Sequence, residues 1–505
     1  MLKGITPREY QSNIFEKCTK RNCLVVLPTG LGKTLVALML AIERMKQFPD
    51  SQILFLAPTR PLVEQHYDYF KKYSELKNMH IFTGKINAKK RAEIWEKAKV
   101  IFSTPQCIQN DLKKQLIDLS DVSLLVEDEC HRCLKNYSYT FVVKKYIEEA
   151  KHARILGITA SPGSSSQVIK EICNNLEIKA VEIRTRDSED VKKYLQELTK
   201  EVIYVEFPED FKLIKKWLDT LYNKKIEELK NRKLLYGGAY KTNLLELQKR
   251  LFQKIYSGEK HFNVLKGVSL CAQAIKLGHT VEMLETQGLG SCFEYMKKLF
   301  DEDHQNKSKA AKNIVNSKEF QDSYLLVGRM LQEEREHPKL AALLSKIKEE
   351  LLSKEELKVL IFSQYRFSVN KIDKILKENG LKSKVFIGQS KGLTQLEQKS
   401  ILNQFRTGKI NFLVSTSIGE EGLDIPEVDL VIFYEPVPSA IRKIQRAGRT
   451  ARLKPGKLVI FVTKGTRDEA YFWAAHHKEK KMYDTLDKIK DGFDKKKKQM
   501  EISEF

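Results

Sequence analysis

Residues 28–34 (Pro-Thr-Gly-Leu-Gly-Lys-Thr) have the types and the spacing that bind a chain of phosphates. They follow an apolar run typical of a buried strand and precede a helical stretch, residues 35–44. Glycines let backbone N–H groups converge on phosphate oxygens at a helix N-terminus. Lys33 adds positive charge at the β and γ phosphates, and the Thr34 hydroxyl suits Mg²⁺. Only the first glycine of the usual phosphate loop is missing, because Leu27 replaces it.

A second segment, residues 126–131 (Val-Glu-Asp-Glu-Cys-His), puts carboxylates at the end of another buried strand. We expect Asp128 to hold Mg²⁺, usually through water, and Glu129 to polarise the water that attacks the γ-phosphate. An acidic strand end is common by itself. Together with the phosphate loop, however, it favours a site that hydrolyses ATP with Mg²⁺.

These two segments resemble motifs I and II of the superfamily 2 helicases, in which motif II is a DExH box. Here the box reads Asp-Glu-Cys-His, with Cys130 where alanine is usual. The family's other motifs have similar segments in the same order: residues 8–11 (motif Q), 57–62 (Ia), 83–84 (Ib), 103–106 (Ic), 159–161 (III), 414–417 with 419–426 (V) and 445–452 (VI).

The resemblance implies a role for each matching residue. The catalytic residues would be Lys33, Asp128, Glu129, Gln445, Arg449 and Arg452, with the last two as arginine fingers and Gln445 placing the water. Nucleotide contacts would come from Arg8, Gln11, Pro28, Thr29, Gly30, Leu31, Gly32, Lys33, Thr34, Gly422 and Asp424, and metal ligands from Thr34 and Asp128. Contacts to a nucleic-acid backbone would come from Arg60, Gly84, Thr104, Gln364 and Thr416.

Two stretches of alternating strand and helix patterns must position these residues. Residues 1–195 and 331–475 each repeat short Val, Ile and Leu runs followed by helical stretches, which predicts a parallel α/β sheet. Residues 206–330 lack such runs, and their apolar residues recur at helical spacing. We therefore predict an α/β protein of two RecA-like lobes with a helical domain inserted between them. The polar, lysine-rich composition of residues 476–505 predicts a basic helix and a flexible tail.

Composition points to a polyanionic partner. The chain has 505 residues with 89 Lys+Arg against 66 Asp+Glu, a formal net charge of +23. Charge alone favours nucleic acid only modestly over a solubilised surface. Apolar runs are too short to span a bilayer and the first residues lack a signal region, so we expect a cytoplasmic protein. The eight cysteines lack a complete zinc pattern, which predicts reduced thiols.

The insertion and three segments narrow the resemblance to archaeal Hef, which is related to the FANCM translocases. The segments are residues 284–289 (Leu-Glu-Thr-Gln-Gly-Leu), 416–424 and 433–439. The resemblance implies a motor on forked or four-way DNA in replication-fork repair, with 3′ to 5′ polarity and an insertion that grips the duplex or branch. No segment after residue 475 resembles the nuclease of many Hef proteins. We therefore expect remodelling without cutting, or cutting by a separate nuclease, unless the chain is truncated.

Other functions remain open. The more distant Dicer and RIG-I-like helicases share all these motifs, so a double-stranded RNA translocase is one alternative. A non-catalytic branched-DNA scaffold that recruits a clamp or nuclease is another. Residues 499–505 resemble a sliding-clamp binding peptide through Gln499, Ile502 and Phe505, although a polar terminus without function explains them too.

Overall fold

Two parallel β-sheets and a helical bundle make up the chain. The computed structural model describes residues 1–388, 393–419, 425–451 and 454–503, with side chains to residue 493. The architecture confirms the predicted fold class of two parallel-sheet lobes with a helical domain between them.

Lobe 1 is a seven-stranded sheet of order β3-β4-β2-β5-β6-β1-β7 with helices on its faces. Its strands are β1 (Cys23–Val26), β2 (Gln52–Leu56), β3 (Met79–Phe82), β4 (Val100–Ser103), β5 (Val122–Asp128), β6 (Ile155–Thr159) and β7 (Ala180–Ile183). Its helices are α1 (Glu9–Lys20), α2 (Lys33–Gln47), α3 (Arg60–Tyr73), α4 (Ala88–Trp95), α5 (Pro105–Lys113), α6 (Ser138–Glu149), α7 (Ser166–Asn175) and α8 (Glu189–Lys192). Because helices cover both faces, the central strands are buried along their whole length, as their apolar runs predicted.

The helical insertion contains six helices: α9 (Glu209–Asn231), α10 (Lys241–Tyr256), α11 (Phe262–Gln287), α12 (Leu289–His304), α13 (Lys309–Val315) and α14 (Lys318–Gln332). It has two apolar clusters. One includes Phe211, Leu284 and Leu299, and partly buried Tyr365 of lobe 2 packs against it. The other joins α9, α10 and α11 through residues such as Leu229 and Leu247. The insertion therefore has one part that docks on lobe 2 and a second part with a core of its own.

Lobe 2 is a six-stranded parallel sheet of order β10-β11-β9-β12-β13-β8. Its strands are β8 (Leu198–Val205), β9 (Val359–Phe362), β10 (Ser383–Phe386), β11 (Phe412–Ser415), β12 (Leu430–Phe433) and β13 (Gly456–Thr463), and its helices are α15 (Pro338–Ser353), α16 (Arg366–Glu378), α17 (Gln395–Arg406) and α18 (Ala440–Ala447). Strand β8 precedes the insertion in sequence and pairs with β13. The chain thus enters the second sheet before it leaves for the insertion.

The last helix, α19 (Arg467–Ser503), connects the two lobes. It begins against lobe 2, where the buried Asp468 carboxylate lies 2.6 Å from Lys339 Nζ. Farther along, Met482 and Leu486 are buried in the apolar cluster of lobe 1. The predicted clamp-binding residues lie beyond the described side chains.

Within the described ranges, no helix has the length and apolarity needed to cross a bilayer. All eight cysteines are free and buried. Burial raises the pKa of the Cys130 and Cys133 thiols, so this pair packs as small apolar side chains in the core of lobe 1.

Candidate nucleotide site between the lobes

The phosphate loop follows β1 and ends where α2 begins, at Lys33. Gly30 and Gly32 have φ of 88° and 76°, in the left-handed region that favours glycine. A Cβ on Gly32 would lie 2.3 Å from Gln11 Nε2, so any larger residue there would have to displace the Gln11 amide. Lys33 Nζ donates to the Leu27 carbonyl (3.0 Å), which holds the ammonium beside the loop.

The Q motif supports this loop from outside. Gln11 Nε2 and the Tyr10 hydroxyl both donate to the Leu31 carbonyl, at 3.1 and 2.9 Å. The Gln11 Oε1 atom accepts from the Arg8 backbone N–H (2.8 Å), and the Arg8 guanidinium lies 5.0 Å from the ring of Tyr194. The structure therefore brings Gln11 to the phosphate loop and places Arg8 beside Gln11 and Tyr194. Tyr194 gave no sequence signal, since it lies in a polar connection between the lobes.

The predicted metal ligands of motifs I and II lie on either side of one imidazole. His66 Nε2 is 2.8 Å from Asp128 Oδ2, and His66 Nδ1 is 3.4 Å from Thr34 Oγ1. The Tyr139 hydroxyl donates to the Asp128 carbonyl (2.7 Å) and fixes its backbone. A hydroxyl and a carboxylate are the oxygen donors that Mg²⁺ accepts in proteins, so the residues present fit this ion.

Glu129 stands at the start of the turn after β5. Its φ of 51° is in the left-handed region, a sparsely populated conformation that typically costs about 1–3 kcal/mol and clusters at functional sites. Its Oε2 atom lies 3.3 Å from Thr159 Oγ1 and 3.2 Å from His131 Nδ1, which connects motif II to motif III. Burial raises the pKa of neighbouring Glu127 well above its usual range.

Motif VI faces the phosphate loop across the cleft. A Cβ on Gly448 would lie 2.7 Å from Thr29 Cβ, so the two motifs are in direct contact. Gln445 lies on α18 and Arg449 in the turn after it, and both side chains are buried. The predicted residues Arg452, Gly422 and Asp424 lie outside the described residues.

Arg446 anchors motif VI inside lobe 2. Its guanidinium is fully buried and lies 4.9 Å from the Phe362 ring centroid and 5.6 Å from that of Phe433. Burial raises the pKa of the nearby Glu435 carboxyl to about 7, and the positive charge of Arg446 opposes that rise. The resemblance to motif VI implied no role for Arg446. Its contacts indicate that it positions the helix bearing Gln445.

The predicted nucleic-acid contacts all follow the carboxyl ends of strands. They are Arg60 after β2, Gly84 after β3, Thr104 after β4, Gln364 after β9 and Thr416 after β11. Strands β3, β4 and β2 are neighbours in lobe 1, and β11 and β9 are neighbours in lobe 2, so the residues cluster at one edge of each sheet. Arg60 is paired with Glu64 (2.7 Å), which also lies 3.2 Å from Lys399 of lobe 2.

Comparisons with known proteins find helicase domains in this chain. Residues 8–169 match the DEAD/DEAH box helicase model, 340–454 the helicase conserved C-terminal domain, and 210–336 a model described as a putative ATP-dependent RNA helicase, helical bundle. The crystal structure of the Pyrococcus furiosus Hef helicase domain is 42% identical with a TM-score of 0.71, covering 93% of this chain and 98% of that one.

Two curated relatives are longer than this chain. A putative ATP-dependent RNA helicase of Methanocaldococcus jannaschii is 40% identical over 95% of this chain and 60% of the relative. The ATP-dependent DNA helicase mph1 of Sclerotinia sclerotiorum is 34% identical over 92% of this chain and 40% of the relative. The chain thus spans less than two thirds of either relative.

The two lobes, with their motifs meeting at one cleft, define a superfamily 2 ATP-dependent helicase. Within that class the chain belongs to the Hef and FANCM-like family, as its segments 284–289 and 433–439 predicted.

Valine at Gly448 tests the contact between motifs VI and I. The added side chain would collide with Thr29, so the lobes could not close around the nucleotide, and kcat for ATP hydrolysis should fall by about 10²-fold. Gly448 has a φ of −69°, which valine adopts without left-handed strain. Steady-state kinetics measures kcat, and denaturant unfolding checks whether the substitution changes the free energy of unfolding. Valine at Gly492, which has open space around it, is the control. An unchanged kcat for Gly448→Val would contradict this contact in the working enzyme.

Proposed function

We propose that this chain is a Mg²⁺- and ATP-dependent DNA translocase that remodels forked or four-way DNA in replication-fork repair, moving 3′ to 5′. The observation that carries the proposal is the contact of Gly448 with Thr29, which puts motif VI of lobe 2 against the phosphate loop of lobe 1. The name of the mph1 relative, a DNA helicase, supports DNA as the substrate.

The geometry supports a division of labour in the ATP site. Lys33 would bind the β and γ phosphates, while Thr34 and Asp128 would hold Mg²⁺, which neutralises phosphate charge when bound. Glu129 would accept the proton of the attacking water. Arg449, with Arg452, would stabilise charge on the γ-phosphate from lobe 2. The site is complete only when the lobes are together, so ATP binding and hydrolysis would close and reopen the cleft.

This opening and closing of the cleft would move the protein along a DNA strand. The predicted nucleic-acid contacts follow the ends of β-strands in both lobes, and their contacts with the DNA backbone would be independent of base identity. If each lobe holds the strand in turn, each ATP would advance one lobe relative to the other.

The far part of the insertion offers a surface for the branch. Tyr256 and Phe262 are 87% and 75% exposed at the connection between α10 and α11. Two exposed lysines lie close by in sequence, Lys254 in the last turn of α10 and Lys260 in the connection, and the Arg232 guanidinium lies 5.8 Å from the Phe262 ring. Aromatic rings with basic neighbours stack on unpaired bases while binding the backbone. We infer that this connection contacts bases at the branch point.

One panel of substrates tests the proposal. ATP turnover and strand separation are measured on single-stranded, forked and four-way DNA and on matching RNA. Forked DNA should give the largest kcat/KM, and Tyr256→Ala with Phe262→Ala should raise the apparent Kd for forks by about tenfold, from lost stacking. Leu325→Ala, an exposed apolar residue elsewhere in the insertion, is the matched control.

A double-stranded RNA translocase is the second candidate. The helical-bundle model that matches residues 210–336 and the Methanocaldococcus jannaschii relative both carry the description of an RNA helicase. Stronger stimulation by RNA than by forked DNA in the same panel would establish this alternative and overturn the DNA proposal. The presence of Lys33, Glu129 and Arg449 disfavours a non-catalytic scaffold, which would need none of them.

A further inference from the structure

His66 lies on α3, the helix that follows motif Ia, and its ring separates two groups from different motifs. Nε2 faces Asp128 Oδ2 at 2.8 Å, and Nδ1 faces Thr34 Oγ1 at 3.4 Å. The side chain is 7% exposed, and its ring centroid lies 4.4 Å from that of Phe55. Packing on one side and hydrogen bonding on both nitrogens therefore fix the orientation of the ring.

We propose that His66 is a positioning residue that presets Thr34 and Asp128 for Mg²⁺. The inference rests on the proposed nucleotide site. A carboxylate only accepts hydrogen bonds, so the Nε2–H group of His66 donates to Asp128 Oδ2. In the tautomer with the proton on Nε2, Nδ1 accepts from the Thr34 hydroxyl. This leaves the lone pairs of Thr34 Oγ1 and the second oxygen of Asp128 for the metal or its water.

The arrangement places both ligands before the metal binds. Thr34 is at the start of α2 and Asp128 at the end of β5, so no shared element fixes their separation. The Tyr139 hydroxyl holds only the backbone carbonyl of Asp128, and His66 holds the carboxylate. Residues that orient metal ligands in this way typically change metal affinity by about 10- to 100-fold when replaced.

A packing role for His66 makes a different prediction. The His66 ring also packs against Phe55. If packing were its only role, His66 would stabilise lobe 1 equally with and without metal. A positioning role instead changes the metal dependence of nucleotide binding. Alanine removes both hydrogen bonds, whereas glutamine keeps an amide N–H donor for Asp128. The two variants therefore separate a packing role from a positioning role.

Binding of a fluorescent ADP analogue is measured on the full chain with and without Mg²⁺, and Mn²⁺ binding is followed by electron paramagnetic resonance. In His66→Ala, metal-free affinity should stay within about twofold of the unmodified protein, while the metal concentration for half-saturation should rise by about 10- to 100-fold. His66→Gln should recover part of this loss. His152→Ala, which removes a histidine stacked on Phe48 elsewhere in lobe 1, should leave both values unchanged.

Unaltered metal dependence in both His66 variants would overturn the positioning role and leave the nucleotide site intact. If His66→Ala unfolds, His66→Gln becomes the deciding variant, since a shift in its metal dependence supports the role and no shift overturns it. Absence of Mg²⁺-dependent nucleotide binding in the unmodified chain would instead overturn the proposed ATP site, and this inference with it.

Discussion

Replacing Glu129 with glutamine should lower kcat for nucleic-acid-stimulated ATP hydrolysis by about 10²–10⁴-fold. The amide keeps the shape of the side chain but cannot accept the proton of the attacking water. The contact with the Thr159 hydroxyl can persist, because an amide oxygen also accepts from a hydroxyl. Nucleotide binding and DNA binding should therefore be retained, which equilibrium titrations would measure alongside single-turnover hydrolysis.

Glu148→Gln is the matched control. Glu148 lies on α6 of the same lobe, and its exposed carboxylate pairs with Lys145, so its loss should leave kcat unchanged. Normal hydrolysis by Glu129→Gln would show that another group accepts the proton. Loss of nucleotide binding would show instead that the substitution disturbs the turn that holds Glu129 at a φ of 51°.

The fold could be predicted because each layer has its own sequence pattern. Strands buried on both faces have continuous apolar runs, and the insertion has helical spacing without such runs. Strand β8 departs from this pattern. Its sequence, Leu-Thr-Lys-Glu-Val-Ile-Tyr-Val, is partly exposed because β8 is the edge strand of its sheet, so residues 196–205 lay between the predicted ranges. Only pairing with β13, far away in sequence, places it in lobe 2.

The candidate site, like the fold, could be predicted from the sequence only in part. Residues in local motifs, such as Lys33 and Asp128, could be named because a phosphate loop and a DExH box need fixed neighbours. His66 could not, because its partners come from α2 and β5 and nothing within α3 distinguishes it from a core histidine. The roles given to the motif residues stay predictions, while the structure supplies the contact between Gly448 and Thr29.

Two of the three segments that resemble Hef meet at one buried lysine. Lys339 Nζ donates to the Thr286 carbonyl (2.8 Å), the Tyr434 carbonyl (3.3 Å) and the Asp468 carboxylate (2.6 Å). Thr286 is in the 284–289 segment of the insertion, Tyr434 in the 433–439 segment of lobe 2, and Asp468 at the start of α19. A buried charge is costly unless it is paired and hydrogen-bonded, so these bonds fix the insertion, lobe 2 and α19 relative to one another.

Helix α19, which begins at the contacts of Lys339, continues to motif III in lobe 1. Glu479 of α19 lies 2.7 Å from Lys443 on the helix of motif VI, and the Ser161 hydroxyl of motif III donates to Met482 Sδ (2.9 Å). One continuous helix thus contacts the helix that leads into motif VI in lobe 2 and motif III in lobe 1. Relative movement of the lobes must therefore bend α19 or break one of these contacts.

Replacing Arg449 with alanine should lower kcat by about 10³–10⁵-fold, the range for loss of an arginine finger. Arg449 follows Gly448, whose contact with Thr29 places it beside the phosphate loop. Because the guanidinium stabilises charge that develops only in the transition state, the KM for ATP should change far less than kcat. Stopped-flow nucleotide binding and single-turnover hydrolysis separate the two effects.

Two further variants sharpen this result. Arg449→Lys keeps the charge but loses the planar fork that meets phosphate oxygens, so it should recover little activity. Arg406→Ala, at an exposed position on α17 of the same lobe, should hydrolyse ATP at the normal rate. If Arg449→Ala kept normal kcat while Glu129→Gln lost it, Arg449 would not be an arginine finger, and any contribution of lobe 2 would have to come from Arg452 or Gln445. If Arg452→Ala also kept normal kcat, closure of the cleft would not be required for hydrolysis, and the translocase mechanism would lose its physical basis.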